Sequence, residues 1–377
     1  MPVRRSRTSR RSTLSQRRGP RVGVGVWSLC VALAALVGLT FVPTQYVIQR
    51  PGPVYDTLGS AKSADGTEVP LIEIEGAETY PAEGALDLTT VQVVGNRQRT
   101  PSWFELAMAW TDPTRAVVPI ETVFPEGVST EERDERNAVL MVDSQHEATA
   151  AALTELGYDV GARVEVVEVL EDAAAQGVLA AGDVILAANG TPVESATGLR
   201  DAIQQGEGDP VELRVADARG EERTVTVTPK REKDAAGETV WLIGVSLTTD
   251  YSFPIDVTIQ LDNVGGPSAG MMFALGIVDL LTPGELTGGE RIAGTGTIDA
   301  EGTVGPIGGI RQKLYGARDA GAEYFLAPAD NCDEVAGHVP DGLQVFRTAT
   351  LDESLEILEV IAEGGDTADL PTCASVP

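Results

Sequence analysis

With 377 residues the chain is long enough for two compact domains, and 5% aromatic content leaves any core to Ala, Val, Leu and Ile. The formal net charge is −29, and without the eight Arg of residues 1–21 the remaining 20 bases face 57 acids. A body this acidic excludes phosphate-backbone binding, and with it nucleic acid as a partner.

Residues 1–21 are Arg-rich and hold no acid, and residues 22–42 form an uncharged apolar run. That run has the length of one membrane-spanning helix. The basic flank before it predicts a cytoplasmic N-terminus, a single span of the cell membrane, and an extracytoplasmic body. A cleaved signal peptide is the rival reading, weakened by the length of the run and by the lack of a small-x-small site after it. Either way the body is exported. Cys30 lies in the apolar run, and the exported Cys332 and Cys373 have two open readings, one bridge or two free thiols.

Residues 43–84 read as a connector rich in turn formers, then first strands that include LIEIEG (71–76). The segment 85–158 begins with LDLTTVQVV (86–94), whose alternation predicts a half-buried strand. A short helix from Ser102 to Trp110, a passage around Pro119 and Pro125, and the charged, solvated TEERDERN (130–137) follow. A helix from about Val142 to Leu156 is ended by Gly157.

Over 159–232 the texture changes to RVEVVEVL, GDVILAANGTPV with an Asn189-Gly190 turn, the helix SATGLRDAIQQG and the hairpin PVELRVADARGEERTVTVTP. The stretch LEDAAAQGVLAAGDVILAANG resembles the bacterial PDZ pattern. That resemblance implies a β-rich barrel with an edge groove for an extended or C-terminal peptide, against the plainer reading of a spacer barrel. The Gly-hydrophobic-Gly-hydrophobic loop that usually takes the ligand carboxylate is not evident, and GYDVG (157–161) is a loose counterpart at best. A charged linker, REKDAAGE (231–238), leads to TVWLIGVSL and PIDVTIQL, read as the start of a catalytic part at 235–362.

Within DNVGGPSAGMMFALGIVDLL (262–281), Ser268 sits between a Gly-rich turn and an apolar helix. Gly266 permits unusual φ, Pro267 suits a helix start, and Ala269 and Gly270 leave room for a substrate carbonyl. Amides at 268–270 can stabilise an oxyanion. Serine needs a base. Neither His146 nor His338 has a triad context, and Met271 and Met272 read as core. Lysine is scarce, four against 24 Arg, and Lys313 alone follows a Gly-rich run, GTVGPIGGI, into a helix. A desolvated ε-amine can accept a hydroxyl proton near neutrality, which Arg cannot.

GGPSAG, TGTIDAEGTVGPIGGIRQKL and GAEYFLAPADN together resemble the proteolytic domain of the Lon family. The resemblance implies Ser268 as nucleophile, Lys313 as general base, Thr295 as a hydroxyl near the lysine, and Gly308 and Gly309 as the turn into the lysine helix. It extends to SQHEATAAALTELG (144–157) and LDLTTVQV. It thus implies an α+β fold: a Lon-type proteolytic domain split by an inserted PDZ-like domain, after one N-terminal transmembrane helix. A hexameric ring is the family's usual assembly.

This sequence contains no G-x-x-x-x-G-K-[ST] phosphate loop, so the expectation is an ATP-independent serine endopeptidase acting on unfolded or flexible exported or membrane polypeptides. No cofactor or metal is expected. Asp262 reads as a turn residue or as a helper of the lysine, and residues 363–377 as a disordered tail. The competing function is a non-catalytic PDZ adaptor on a Lon-like scaffold, which would not need both Ser268 and Lys313. A nucleotide enzyme is weaker still, since GGERIAGTG lacks dinucleotide spacing.

Overall fold

The computed structural model describes residues 24–39, 42–62, 66–233, 239–261 and 264–373. The Arg-rich tail at 1–21, Asp262 and residues 374–377 lie outside them. In chain order, α1 (Val24–Leu39), β1 (Tyr46–Asp56), β2 (Ala85–Val94), α2 (Trp103–Trp110), β3 (Ala116–Pro119) and α3 (Thr130–Glu155) come first. A middle group follows: β4 (Gly161–Val169), β5 (Val184–Ala188), α4 (Ala196–Gln205), β6 (Val211–Ala216), β7 (Glu222–Val227) and β8 (Val245–Ser252). The last group opens with α5 (Gly270–Leu281), β9 (Arg291–Gly294), β10 (Thr297–Ile298), β11 (Val304–Gly305) and α6 (Ile310–Asp319). It closes with β12 (Tyr324–Pro328), β13 (Gln344–Thr348) and α7 (Leu351–Ala362).

Six strands form the larger sheet, in the order β13-β12-β9-β2-β1-β3. Its parallel half, β13-β12-β9-β2, joins strands from after the middle group to β2 from before it. Because β2 is central, Ala85 to Thr89 are buried on both faces. The half-buried strand expected over 86–94 is therefore corrected for 86–89, while 90–94 are half-buried to exposed. Central strands lose their polar face when helices cover both sides. The main core is α5, with ten buried residues from Gly270 to Asp279, packed against α3 and the sheet. Met271, Met272 and Phe273 are fully buried in it. Full burial of one such side chain contributes about 1.5–3 kcal/mol.

The TEERDERN stretch forms the first turns of α3. Ser129 accepts from the Glu132 amide and Glu132 reaches back to the Ser129 amide, at 3.1 and 2.8 Å. This reciprocal cap starts the helix well before its apolar face begins. That face then buries Ala148, Ala151 and Ala152.

The second sheet runs β7-β6-β5-β4-β8. Its last member corrects the boundary expected near 232, because Val245–Ser252 pairs antiparallel with β4 along its whole length. Residues 363–373 also differ from the expected disordered tail. They carry a 3-10 turn at Thr367–Asp369, and Cys373 is buried and disulfide-bonded to Cys332. Among the described residues, no helix is long and apolar enough to cross a membrane. Helix α1 has 16 residues, a rise of about 24 Å against the roughly 30 Å of a hydrocarbon core.

Candidate active site

Ser268 sits in the turn before α5, whose N-cap is Ala269. Three donors hold the turn. Ser144 of α3 donates to the Pro267 carbonyl at 3.0 Å, and the Gly296 amide donates to the Ser268 carbonyl at 3.0 Å. The Thr295 hydroxyl donates to that same carbonyl at 2.8 Å. Gly266 adopts φ +89°, and its amide donates to the Asn137 carbonyl at 2.9 Å. Of the expected oxyanion donors, the Gly270 amide is turned to the Pro267 carbonyl at 3.4 Å.

Lys313 comes from the first turn of α6. Gly309, the residue before that helix, has φ +73°, and a Cβ there would lie 2.8 Å from Val91 Cγ2. The turn needs glycine for both reasons. Asn331 holds the preceding Ile307 by both backbone groups, with Oδ1 accepting from its amide and Nδ2 donating to its carbonyl, each at 2.9 Å. Sequence reasoning gave Asn331 no role, although it ends the GAEYFLAPADN stretch that is part of the resemblance.

Lys313 Nζ meets three oxygens: Ser268 Oγ at 2.8 Å, Thr295 Oγ1 at 2.8 Å and the Thr89 carbonyl at 2.9 Å. The side chain is 2% exposed, and burial alone pushes its pKa down from 10.5 to about 7. When protonated, the amine donates one N–H to each of the three. Once it loses a proton, two N–H bonds still donate to Thr295 Oγ1 and the Thr89 carbonyl, and the lone pair faces the Ser268 hydroxyl. Ser268, Lys313 and Thr295 are thus brought together, while Pro267, Ala269 and Gly270 shape the turn. The histidines stand apart: His146 packs beside Phe253 and His338 Nδ1 contacts the Ala336 carbonyl. Among the described residues no group of three His, Cys, Asp or Glu is arranged for a metal ion.

A second feature lies where the linker was expected. Gly244 has φ +73° and leads into β8. The Ile243 carbonyl accepts from the Ala175 amide and the Gly244 carbonyl from the Leu170 amide, at 2.9 and 3.0 Å. A trans peptide sets its N–H opposite its carbonyl, so the Gly244 and Val245 amides point away from these partners. Two successive amides released in this way can take a carboxylate. GYDVG is not placed to do so: Gly157 follows α3 and Gly161 starts β4. The overlooked signal was LIGV (242–245), hidden by assigning that strand to the wrong domain.

Residues 261–361 match the Lon protease (S16) C-terminal proteolytic domain, and residues 165–217 match a PDZ domain. The chain carries a Lon-type proteolytic domain and a PDZ domain. Its Lon segment is 42% identical over 93 residues to Lon protease 1 of Sorangium cellulosum, covering 24% of this chain and 11% of that protein. Against Lon protease 1 of Bacillus subtilis the identity is 39% over 94 residues, covering 24% and 12%. The chain thus matches about a tenth of the length of these relatives. The PDZ domain of the SdrC-like protein from Listeria monocytogenes aligns at 27% identity with a TM-score of 0.20, covering 22% of this chain and 85% of that one. The Lon-type domain supports serine peptidase activity.

Proposed function

We propose that the protein is a serine endopeptidase in which Ser268 attacks the scissile carbonyl and Lys313 is the general base. The observation that carries this reading is the 2.8 Å contact between Ser268 Oγ and a lysine whose pKa burial lowers to about 7. Lys313 takes the hydroxyl proton as the acyl-enzyme forms and returns it to the leaving amine. Thr295 keeps the amine aimed by accepting one N–H, and it anchors the nucleophile's own carbonyl. The amides of Ser268 and Ala269 take the oxyanion role, since that of Gly270 is directed at Pro267.

The reading extends to the whole chain as one proteolytic domain, drawn from both flanks of the PDZ domain and working without ATP on polypeptides that already offer an extended segment. ATP-independence is supported by the lack of a phosphate-loop motif in this sequence. The residue 22–42 run supports an anchor with the body outside the cell membrane. The test is cleavage of unfolded casein by the purified protein without nucleotide. Cleavage retained by both Ser268→Ala and Lys313→Ala sinks the dyad; cleavage only with ATP sinks the motor-free reading.

A further inference from the structure

Among the described residues β8 is paired on one side only, with β4, so its other edge offers unpartnered backbone groups. Helix α4 stands beside that edge, and a cleft of about 530 Å³ begins between them. Leu247, Thr249 and Arg200 line it at the PDZ end, and Pro267, next to the nucleophile, with Thr297 at the other. The cleft is therefore one space shared by the PDZ edge strand and the serine turn.

The strand has a direction in this space. Its start, Gly244–Val245, carries the two outward amides. Its far end carries Tyr251 and leads to Phe253, which reach α3 at Glu147 and His146. The Tyr251 hydroxyl is buried beside the Glu147 carboxylate, which fixes the far end of the strand against α3. One contact crosses the cleft from α4 to β8. The Ala196 amide donates to Thr249 Oγ1 at 3.2 Å. It is a single hydrogen bond, which an entering strand must displace.

We propose that the PDZ edge and Ser268 form one substrate track with a fixed polarity: the free C-terminus of a polypeptide is held at Gly244–Val245, and the chain upstream runs antiparallel to β8 toward the nucleophile. The docked tail is then the part leaving with the new amino terminus, and the scissile bond lies upstream of it. Strand β8 has eight residues, about 24 Å end to end at 3.4 Å per step, and the cleft continues beyond it. Cleavage therefore falls about eight to twelve residues from the substrate's carboxyl end, at a distance set by the track rather than by local sequence. This proposal rests on the Ser268–Lys313 reading.

The test uses the full chain with unstructured peptides that share one internal sequence and carry zero to six extra C-terminal residues, each as free acid and as amide. Mass spectrometry of the products is expected to show cut sites moving with the carboxyl end, and amidation lowering kcat/KM at least tenfold. Cuts that stay at the same internal positions in every extension, with acid and amide cut alike, overturn the track and leave the peptidase reading intact. If the wild-type protein cuts nothing, the peptidase reading falls and the track is judged by Ser268→Ala protein alone. A photo-crosslinker about ten residues from the carboxyl end of a free-acid peptide must then label the 267–269 turn or the 297–303 hairpin, and labelling only elsewhere overturns it.

Discussion

Asn331 holds Ile307 at both backbone groups, two hydrogen bonds of 2.9 Å that fix the chain just ahead of the lysine helix. Both bonds are buried, so Asn331→Leu leaves an amide and a carbonyl unsatisfied. The expected cost is about 2–4 kcal/mol in denaturant unfolding. Peptidase activity should fall further than the folded fraction, because the 308–309 turn that aims Lys313 loses its anchor.

Burial of Lys313 predicts a pH profile. As the amine loses its proton through a pKa of about 7, kcat/KM should rise along a single limb and level off above it. Lys313→Arg should abolish the limb together with the activity, since guanidinium keeps its proton.

The same burial acts on stability with a definite sign. Between about pH 7 and 10.5 the unfolded chain binds more protons at this site than the folded one, so stability rises with pH across that window. Below about 7 the full cost of burying the amine is present. Lys313→Met should therefore stabilise the protein on the order of a few kcal/mol near pH 6, and by less at pH 10. Thermal unfolding at the two pH values checks this.

Thr295→Val removes the acceptor of one lysine N–H and one of two donors to the Ser268 carbonyl, while keeping the shape. The expected result is a loss of about 10–100-fold in kcat with KM little changed, since misplacement of the reacting pair is the main damage. Thr295→Ser should recover most of it.

The Cys332–Cys373 bridge closes 41 residues of chain and ties the end of the described chain beside Asn331. By the loop-entropy relation its loss costs about 4 kcal/mol. Cys373→Ser should lower Tm and also weaken activity through the Asn331 anchor.

The candidate dyad was legible because glycine spacing and the scarcity of lysine are properties of order along the chain. Capping by Ser129 and Glu132 was equally local, yet it was missed because the charged stretch was read by its solubility rather than by its cap. The wrong boundary near 232 had a different origin. Strand texture reports that Val245–Ser252 is extended, and only its pairing with β4 reports which sheet it joins.

By itself the sequence determined which residues could do the chemistry: a serine at a Gly-rich helix start, a lysine in a chain nearly without them, and a barrel with an Asn-Gly turn. Tertiary structure alone decided the rest. It buried Lys313 against three oxygens from β2, the serine turn and Thr295, it gave Asn331 its grip, and it set the PDZ edge strand in the same cleft as Pro267. The reason is physical. Residue type sets what a side chain can exchange, whereas pKa, aim and shared space depend on desolvation and on neighbours far away in the chain.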